Sequence, residues 1–433
     1  MDKKRYPVKI TRDGTIKTYS PDFQTLESFT KSWQSVLKRH HGTNALVQCM
    51  CPGKAERKFY IGLRQTSDLY YLSRFKNSGI EHYDECRWYS SASISGQQHY
   101  QEGVVTEDDN GFLRIRLAVS LNAGEPVECT PPPGVNENPQ EGGRSKAQMK
   151  LAGLLSLLWT EAGLNMWYPK MEKKRFTSSV HTWLQQAACG IKVGRTTLNK
   201  VLLAGALNDS DQAKQNEQKL SEAAANNKRL VVTTSLAKWS AERECDPGRV
   251  PVKDFFGLPK LSVDASLWAG TLKSHPTELA AWQRDERIIV IALTDVPEGD
   301  EADVLRLALM HVSKRWIPLD SSLEGLVEDK LVREKRKFIK PMRFDAEKDD
   351  VFADFHLLDT LVHHQPLEVF GMDTAEYNTR KAVKMQHYDS KYGVGGWWYW
   401  DAIAEPDESN IPAFPPAKIR ALKNVGAENS DGS

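Results

Sequence analysis

Asp354 and Glu368 stand within two short apolar runs, one containing Val351, Phe352, Phe355, Leu357 and Leu358, the other Leu367, Val369 and Phe370. Runs of this length and composition read as buried strands, so both carboxylates are expected inside the fold. At roughly 4 Å two such charges repel by about 4 kcal/mol at an effective dielectric near 20, and a bound divalent cation is the usual remedy. Downstream, Tyr377, Arg380 or Lys381, Lys384 and Tyr388 recur at helical spacing and share one face. Acids and lysines on neighbouring core elements make this a candidate metal site, with Lys384 favoured over Lys381 as the charged group nearest the metal.

A second constellation suits zinc. Cys49-Met-Cys51-Pro-Gly53 and Gly79-Ile-Glu-His82-Tyr-Asp-Glu-Cys86 supply four ligands of the right types. The Pro52-Gly53 turn is expected to bring both N-terminal thiolates to one point, and His82 and Cys86 are expected on one helical face. Four protein ligands leave no open coordination position, so the expected role is structural. Cys129, Cys189 and Cys245 show no comparable spacing.

These residues need elements to position them. Ser321 opens a helix with a capping-box pattern, Ser321-x-x-Glu324, and Leu323, Leu326, Val327 and Leu331 form its apolar stripe. Strands are predicted over Phe338–Phe344, Val351–Leu358 and Leu367–Phe370, a helix over Thr374–Tyr388 and a strand over Trp397–Trp400. The order is αβββαβ. Upstream, a helix is predicted around Phe23–Lys38, strands at Lys58–Leu63, Leu69–Phe75 and Phe112–Val119, and helices at Met149–Trp159, Ser178–Cys189 and Thr197–Leu207. Arg229–Thr234 and Arg287–Leu293 read as strands. The stretch from Thr130 through three prolines to Arg144 reads as a linker.

The fold class expected is α+β and multi-domain: a zinc-stabilised α+β module over 1–130, a linker over 131–148, a helical region over 149–228, a mixed region over 229–318, a C-terminal domain over 319–415 and a disordered tail over 416–433. A chain of 433 residues exceeds the usual single domain. Its net charge of +1 selects no partner class. Six cysteines and no charged-then-apolar leader in Met1–Ile10 lead to a cytoplasmic expectation. The longest apolar runs are too short to cross a bilayer. Gly190-Ile-Lys-Val-Gly-Arg-Thr lacks the ending of a phosphate loop, so no nucleotide triphosphate is expected.

The C-terminal block, roughly Pro318 to Ala404, resembles the PD-(D/E)xK, or restriction-endonuclease-like, nuclease superfamily through its element order and a few residues. Asp354 matches the first acid, with Ala353 where proline is usual, and Glu368 matches the second. The resemblance implies Mg2+ held by Asp354, Glu368 and the Val369 carbonyl, and Glu324 as an accessory acid. It also implies a lysine that activates water two residues beyond the second acid. That position is Phe370, so Lys384 or Lys381 from the following helix would take the role. Phosphate contacts are then expected from Arg380, Tyr377 and the basic run of Lys330, Arg333, Lys335, Arg336, Lys337, Lys340 and Arg343. The Trp397–Trp400 cluster would stack bases. The function expected is Mg2+-dependent phosphodiester hydrolysis on DNA, in mobile-element DNA processing or defence. The alternative is a catalytically inactive DNA-binding scaffold that keeps the fold and a structural zinc.

Nearly the whole chain resembles a family of bacterial proteins of unknown function found on plasmids and integrative elements. The C-x-C and G-x-x-H-x-x-x-C pair, Leu158–Pro169 and Ala308–Pro318 carry that resemblance. It implies mobile-element biology and no established activity.

Overall fold

The computed structural model describes residues 4–64, 69–75, 78–83, 85–89, 104–108, 111–123, 148–253, 256–342, 353–362, 364–403 and 406–418. The expected linker, except Gln148, most of the expected tail, and Arg343 lie outside the described residues. The fold is mixed α+β with several sheets and ten α-helices among the described residues.

The N-terminal sheet is antiparallel, in the order Thr15–Tyr19, Val8–Arg12, Leu46–Cys49, Lys58–Arg64 and Leu69–Arg74. A helix over Thr30–His40 covers it with Trp33 and Leu37. A four-stranded sheet follows, with Leu113–Ile115 between Val105–Glu107 and Ile191–Val193. In the third sheet Arg287–Thr294 is central; its seven consecutive buried residues form the continuous apolar run expected of an interior strand. Thr197–Leu207, read as helix, is instead a short 3-10 turn at Leu198–Lys200 and a strand at Leu202–Ala204. An apolar run this short fits either element, and pairing with Val231–Ser235 decides for the strand.

The C-terminal elements keep their expected order: helix Ser322–Arg333, strands Phe338–Ile339, Phe355–Leu357 and Gln365–Phe370, helix Ala375–Tyr392 and strand Trp398–Asp401. The three strands form an antiparallel meander, and Trp398–Asp401 pairs parallel to Gln365–Phe370 after the helical crossover. Met166–Trp167 adds a fifth strand at the Phe338 edge. Ser321 Oγ caps its helix by accepting from the Glu324 N–H at 3.2 Å. The Glu324 carboxylate accepts from the Asp320 N–H at 3.0 Å rather than from Ser321, so the capping box is shifted by one residue.

Two large apolar cores and a small third cluster result among the described residues. One joins Val8, Ile10, Trp33 and Phe59 to Trp167, Phe338, Phe355, Leu367 and Trp398, so N-terminal and C-terminal sheets bury side chains together. The other gathers the middle sheets around Trp159, Ile291 and Trp316. Leu158–Pro169 and Ala308–Pro318 meet here. Trp159 Nε1 donates to the Trp316 carbonyl at 3.0 Å, and Trp316 Nε1 donates to the Arg175 carbonyl at 3.2 Å. Arg175 in turn donates to the carbonyls of Leu164 and Arg315 at 2.9 and 2.8 Å, tying the two segments together, and burial pushes its guanidinium down to about 9. Trp316 is 1% exposed, so Trp316→Ala is expected to cost about 3–5 kcal/mol. Urea denaturation followed by circular dichroism should show that loss as an earlier transition.

Candidate functional site

Phe355 pairs with Leu367 across the antiparallel ladder, and the Asp354 N–H donates to the Leu367 carbonyl at 3.0 Å. The ladder ends at that pair, and Asp354 lies just before its strand, close enough for its charge to act on Glu368. Like charges held close together repel. Three donors from two elements answer this repulsion. The Val369 N–H donates to Asp354 Oδ2 at 2.7 Å. From the Ala375–Tyr392 helix, Lys384 Nζ donates to Glu368 Oε2 and Tyr388 OH to Oε1, both at 2.7 Å. Glu368 is 1% exposed, and burial, then the Asp354 charge, push its carboxyl up to about 8 against the pull of Lys384 and Tyr388.

A second buried acid approaches from the Ser322–Arg333 helix. Burial pushes Glu324 up to about 8, with Lys340 opposing and the Asp320 and Asp354 charges adding to the rise. Lys340 Nζ donates to Glu324 Oε2 at 2.7 Å and to Asp320 at 2.8 Å. Burial alone would lower Lys340, but the carboxylates of Asp320, Glu324 and Asp354 outweigh it and hold the ammonium above its usual range. Asp354 therefore feels two acid–lysine pairs, Glu324 with Lys340 and Glu368 with Lys384.

Cys49, Cys51, His82 and Cys86 are all buried, and their ligand atoms lie within 4.8 Å of one another. Asp354, Glu368 and Glu324 do not form a second such set among the described residues. Cys49 Sγ is 3.7 Å from Cys86 Sγ, and His82 Nδ1 is 3.6 Å from the sulfurs of Cys51 and Cys86. A tetrahedron with zinc bonds of about 2.3 Å to sulfur and about 2.05 Å to nitrogen has edges of about 3.8 and 3.6 Å. The donor set therefore has the size of a zinc tetrahedron, and this buried Cys3His group could bind a metal such as zinc. The thiols are free, so the closeness is not a disulfide. Hydrogen bonds among the thiols split their proton affinities: Cys51 is held low by donation from Cys49 and Cys86, while Cys49 is pushed up to about 12 by its bond to Cys51.

The local backbone explains how the ligands meet. Cys49 ends its strand and Cys51 follows in a turn, where a Cβ on Gly53 would lie 2.1 Å from the Glu81 carbonyl oxygen. Only glycine allows that approach, and the Lys54 N–H then bonds Glu81 at 2.8 Å. His82 and Cys86 do not share a helix, as their spacing suggested. A 3-10 turn ends at Glu81, His82 is extended, and a tight turn returns Cys86 N–H to the Tyr83 carbonyl at 2.7 Å. His82 Nε2 has no hydrogen-bond partner among the described residues, and Phe59 stacks on the ring at 5.6 Å, leaving Nδ1 toward the sulfurs.

The family model described as "Protein of unknown function (DUF1173)" matches residues 20–402, which include both constellations. The chain belongs to this family. Neither the curated proteins nor the solved structures include a match to it.

Of the other residues singled out in the sequence, Lys381 turns away from the acids. It bonds Asp401 at 2.5 Å and lies over the Phe370 ring at 5.0 Å. Phe370 is 2% exposed and packs with Ala353, Tyr388 and Trp397. Most described members of the basic run pair with groups of the chain itself. Lys340 is 3% exposed, Arg336 bonds Asp359 at 2.8 Å, Lys330 bonds the Ile411 carbonyl at 2.5 Å and Arg333 pairs with Glu408. Lys337 is partly exposed, 3.6 Å from Glu85, and Arg380 is exposed. Tyr377 OH accepts from the Gly371 N–H at 3.4 Å and its ring meets Phe370 edge-on. Trp397, Trp398 and Trp400 are buried, leaving Tyr399 as the exposed ring of that strand. Among the described residues no helix is long and apolar enough to cross a membrane.

The roles of Lys340, Asp320 and Tyr388 were missed by sequence reasoning. Tyr388 was legible as one turn beyond Lys384 on the same helical face, and Lys340 as a charge two residues from buried Phe338, hence on the same strand face.

Two outcomes follow. Metal analysis of purified protein should find one zinc per chain, lost in Cys51→Ser with a lower melting temperature; a folded wild-type protein without bound metal would contradict the tetrad. Because Glu368 rises from 4.5 unfolded to about 8 folded, the folded state binds the extra proton, so this group's contribution is greatest below pH 4.5 and declines as pH climbs to about 8. Glu368→Gln should flatten that decline in melting temperature without added divalent cation.

Proposed function

We propose that the C-terminal elements form a nuclease-like domain that hydrolyses phosphodiester bonds in DNA with Mg2+. The observation that carries this reading is the Asp354 charge acting on buried Glu368, with Lys384 reaching Glu368 from the crossover helix. The αβββαβ order and the approach of Glu324 from the first helix support the same resemblance to the PD-(D/E)xK superfamily. Bound Mg2+ would polarise a phosphodiester oxygen and supply an activated water. Asp354, Glu368 and the Val369 carbonyl would hold it. Their fit to a cation is chemical: two neighbouring carboxylates, Glu368 buried and Asp354 partly buried, lose their mutual repulsion when a divalent charge lies between them. Lys384, released from one Glu368 oxygen, would orient the water or stabilise the charge developing on phosphate. Lys381, committed to Asp401, is the weaker candidate.

A second reading, an inactive DNA-binding scaffold, is favoured by a specific observation. Phe370 fills the position of the usual lysine, and Lys384 and Tyr388 together satisfy both oxygens of Glu368. In either reading the Cys3His tetrad is a structural zinc site that fixes the loops at 50–54 and 79–86. We assign that activity to DNA processing or defence, on the resemblance to mobile-element proteins.

Conversion of supercoiled plasmid in Mg2+ separates the readings. The nuclease reading expects metal-dependent nicking that Glu368→Ala lowers by about 10²-fold or more, with Lys384→Ala following it. Wild-type protein that never cleaves single-stranded or duplex DNA with Mg2+ or Mn2+, or Glu368→Ala that cleaves at the wild-type rate, would overturn it.

A further inference from the structure

Over residues 113–122 burial alternates strictly, in a strand over Leu113–Ile115, a bridge to Met149 at Leu117 and bends at Ala118, Val119 and Leu121. Leu113, Ile115, Leu117, Val119 and Leu121 are buried in the middle core. Their neighbours Arg114, Arg116, Ala118, Ser120 and Asn122 therefore face outward. Beside them, Ile191–Val193 pairs parallel to Leu113–Ile115 and turns back at Gly194, whose φ of +60° suits a tight hairpin, placing Arg195 at the tip. At the far end Asn122 bridges to Lys228, whose ammonium donates to the Asn122 side-chain oxygen.

A groove of about 990 Å³ follows this track. The described residues lining it include four cations, Arg114, Arg116, Arg195 and Lys228, and no carboxylate. The nearest acid, Asp108, is shared: it accepts from Arg114 at 3.1 Å and from Lys192 at 2.8 Å, one charge against two. Among the described residues no carboxylate pairs with Arg116 or Arg195 within 4.0 Å, and both are exposed. Ser120, Asn122 and Thr196 add neutral hydrogen-bonding side chains. Four cations spread around one groove exceed what one small anion would occupy.

We propose that this groove binds the sugar-phosphate backbone of a nucleic acid, with Arg114, Arg116, Arg195 and Lys228 on successive phosphates. It deepens the nuclease reading by naming a surface for the substrate, and its own chemistry stands without catalysis. Backbone contacts of this kind give affinity without sequence preference. An acidic polypeptide is the competing partner, and it would not repay the spacing of neutral donors between the cations.

Fluorescence anisotropy with labelled single-stranded and duplex oligonucleotides, without Mg2+, tests this across a range of salt. Four phosphate contacts predict a log–log slope of about −2.8 on single strands or about −3.6 on duplex. Arg116→Glu and Arg195→Glu, checked for native circular dichroism, should each weaken binding about tenfold and reduce the slope by about one, while Arg116→Lys restores it. Unchanged affinity and slope in both reversals would overturn the proposal, as would poly-glutamate competing as well as unlabelled oligonucleotide. Groove variants that lose binding in a protein that never cleaves would leave the groove standing and the nuclease reading failed; normal binding by those variants in a protein that cleaves would do the reverse.

Discussion

The charge of Asp354 beside buried Glu368 sets the problem that the C-terminal elements are arranged to solve. Asp354 is held there by its backbone bond to Leu367 and by the core positions of Phe355 and Leu367, which a one-residue register slip would turn outward. The sheet must therefore carry the repulsion, and donors are drawn in from every side. The Val369 amide serves Asp354, and the crossover helix supplies Lys384 and Tyr388 to Glu368. The first helix brings Glu324 together with Lys340, repeating an acid–lysine pair beside Asp354. A buried acid with a partner is tolerated, but one without it costs several kcal/mol, so removing either lysine leaves an uncompensated charge. Such an arrangement is expensive for a purely structural core, and perturbed, mutually coupled acids in one place are a common property of functional sites.

The Cys3His group solves a different problem at the other end of the chain. Its loops carry little regular structure, and their close approach depends on Gly53 and on the bond from Lys54 to Glu81. A metal held by four side chains would fix these loops with free energy that an apolar core of this size supplies poorly. Because Cys49, Cys51 and Cys86 belong to the same core as Phe338, Phe355 and Leu367, order in the N-terminal loops supports the sheet that carries Asp354 and Glu368.

The parts legible in the sequence were those fixed by local pattern. The apolar runs around Asp354 and Glu368 gave adjacent strands, and helical spacing from Tyr377 to Tyr388 put Lys384 on the inward face. C-x-C with H-x-x-x-C gathered the four ligands, although the 82–86 segment closes by a turn rather than a helix, since i, i+4 spacing alone does not distinguish them. What escaped depends on contacts distant in sequence. The basic run around Lys330–Lys340 was expected on phosphates; Asp320, Asp359, Glu408 and the Ile411 carbonyl pair with Lys340, Arg336, Arg333 and Lys330 of it. Met166–Trp167 joins the C-terminal sheet from a segment that read only as the end of a helical region. Leu202–Ala204 was ambiguous because three apolar residues fit either element. The groove beside Arg116 was invisible for the same reason: Arg195 and Lys228 reach it through chain reversals that no period announces.

The central claim is that the space between Asp354 and Glu368 accepts a hard divalent cation. Anomalous diffraction from crystals grown with Mn2+ tests it most directly. The account predicts a manganese peak between the two carboxylates, bonded also to the Val369 carbonyl, with the Lys384 ammonium moved off Glu368. Well-ordered crystals without a peak there, and with Lys384 and Tyr388 still on Glu368, would contradict it.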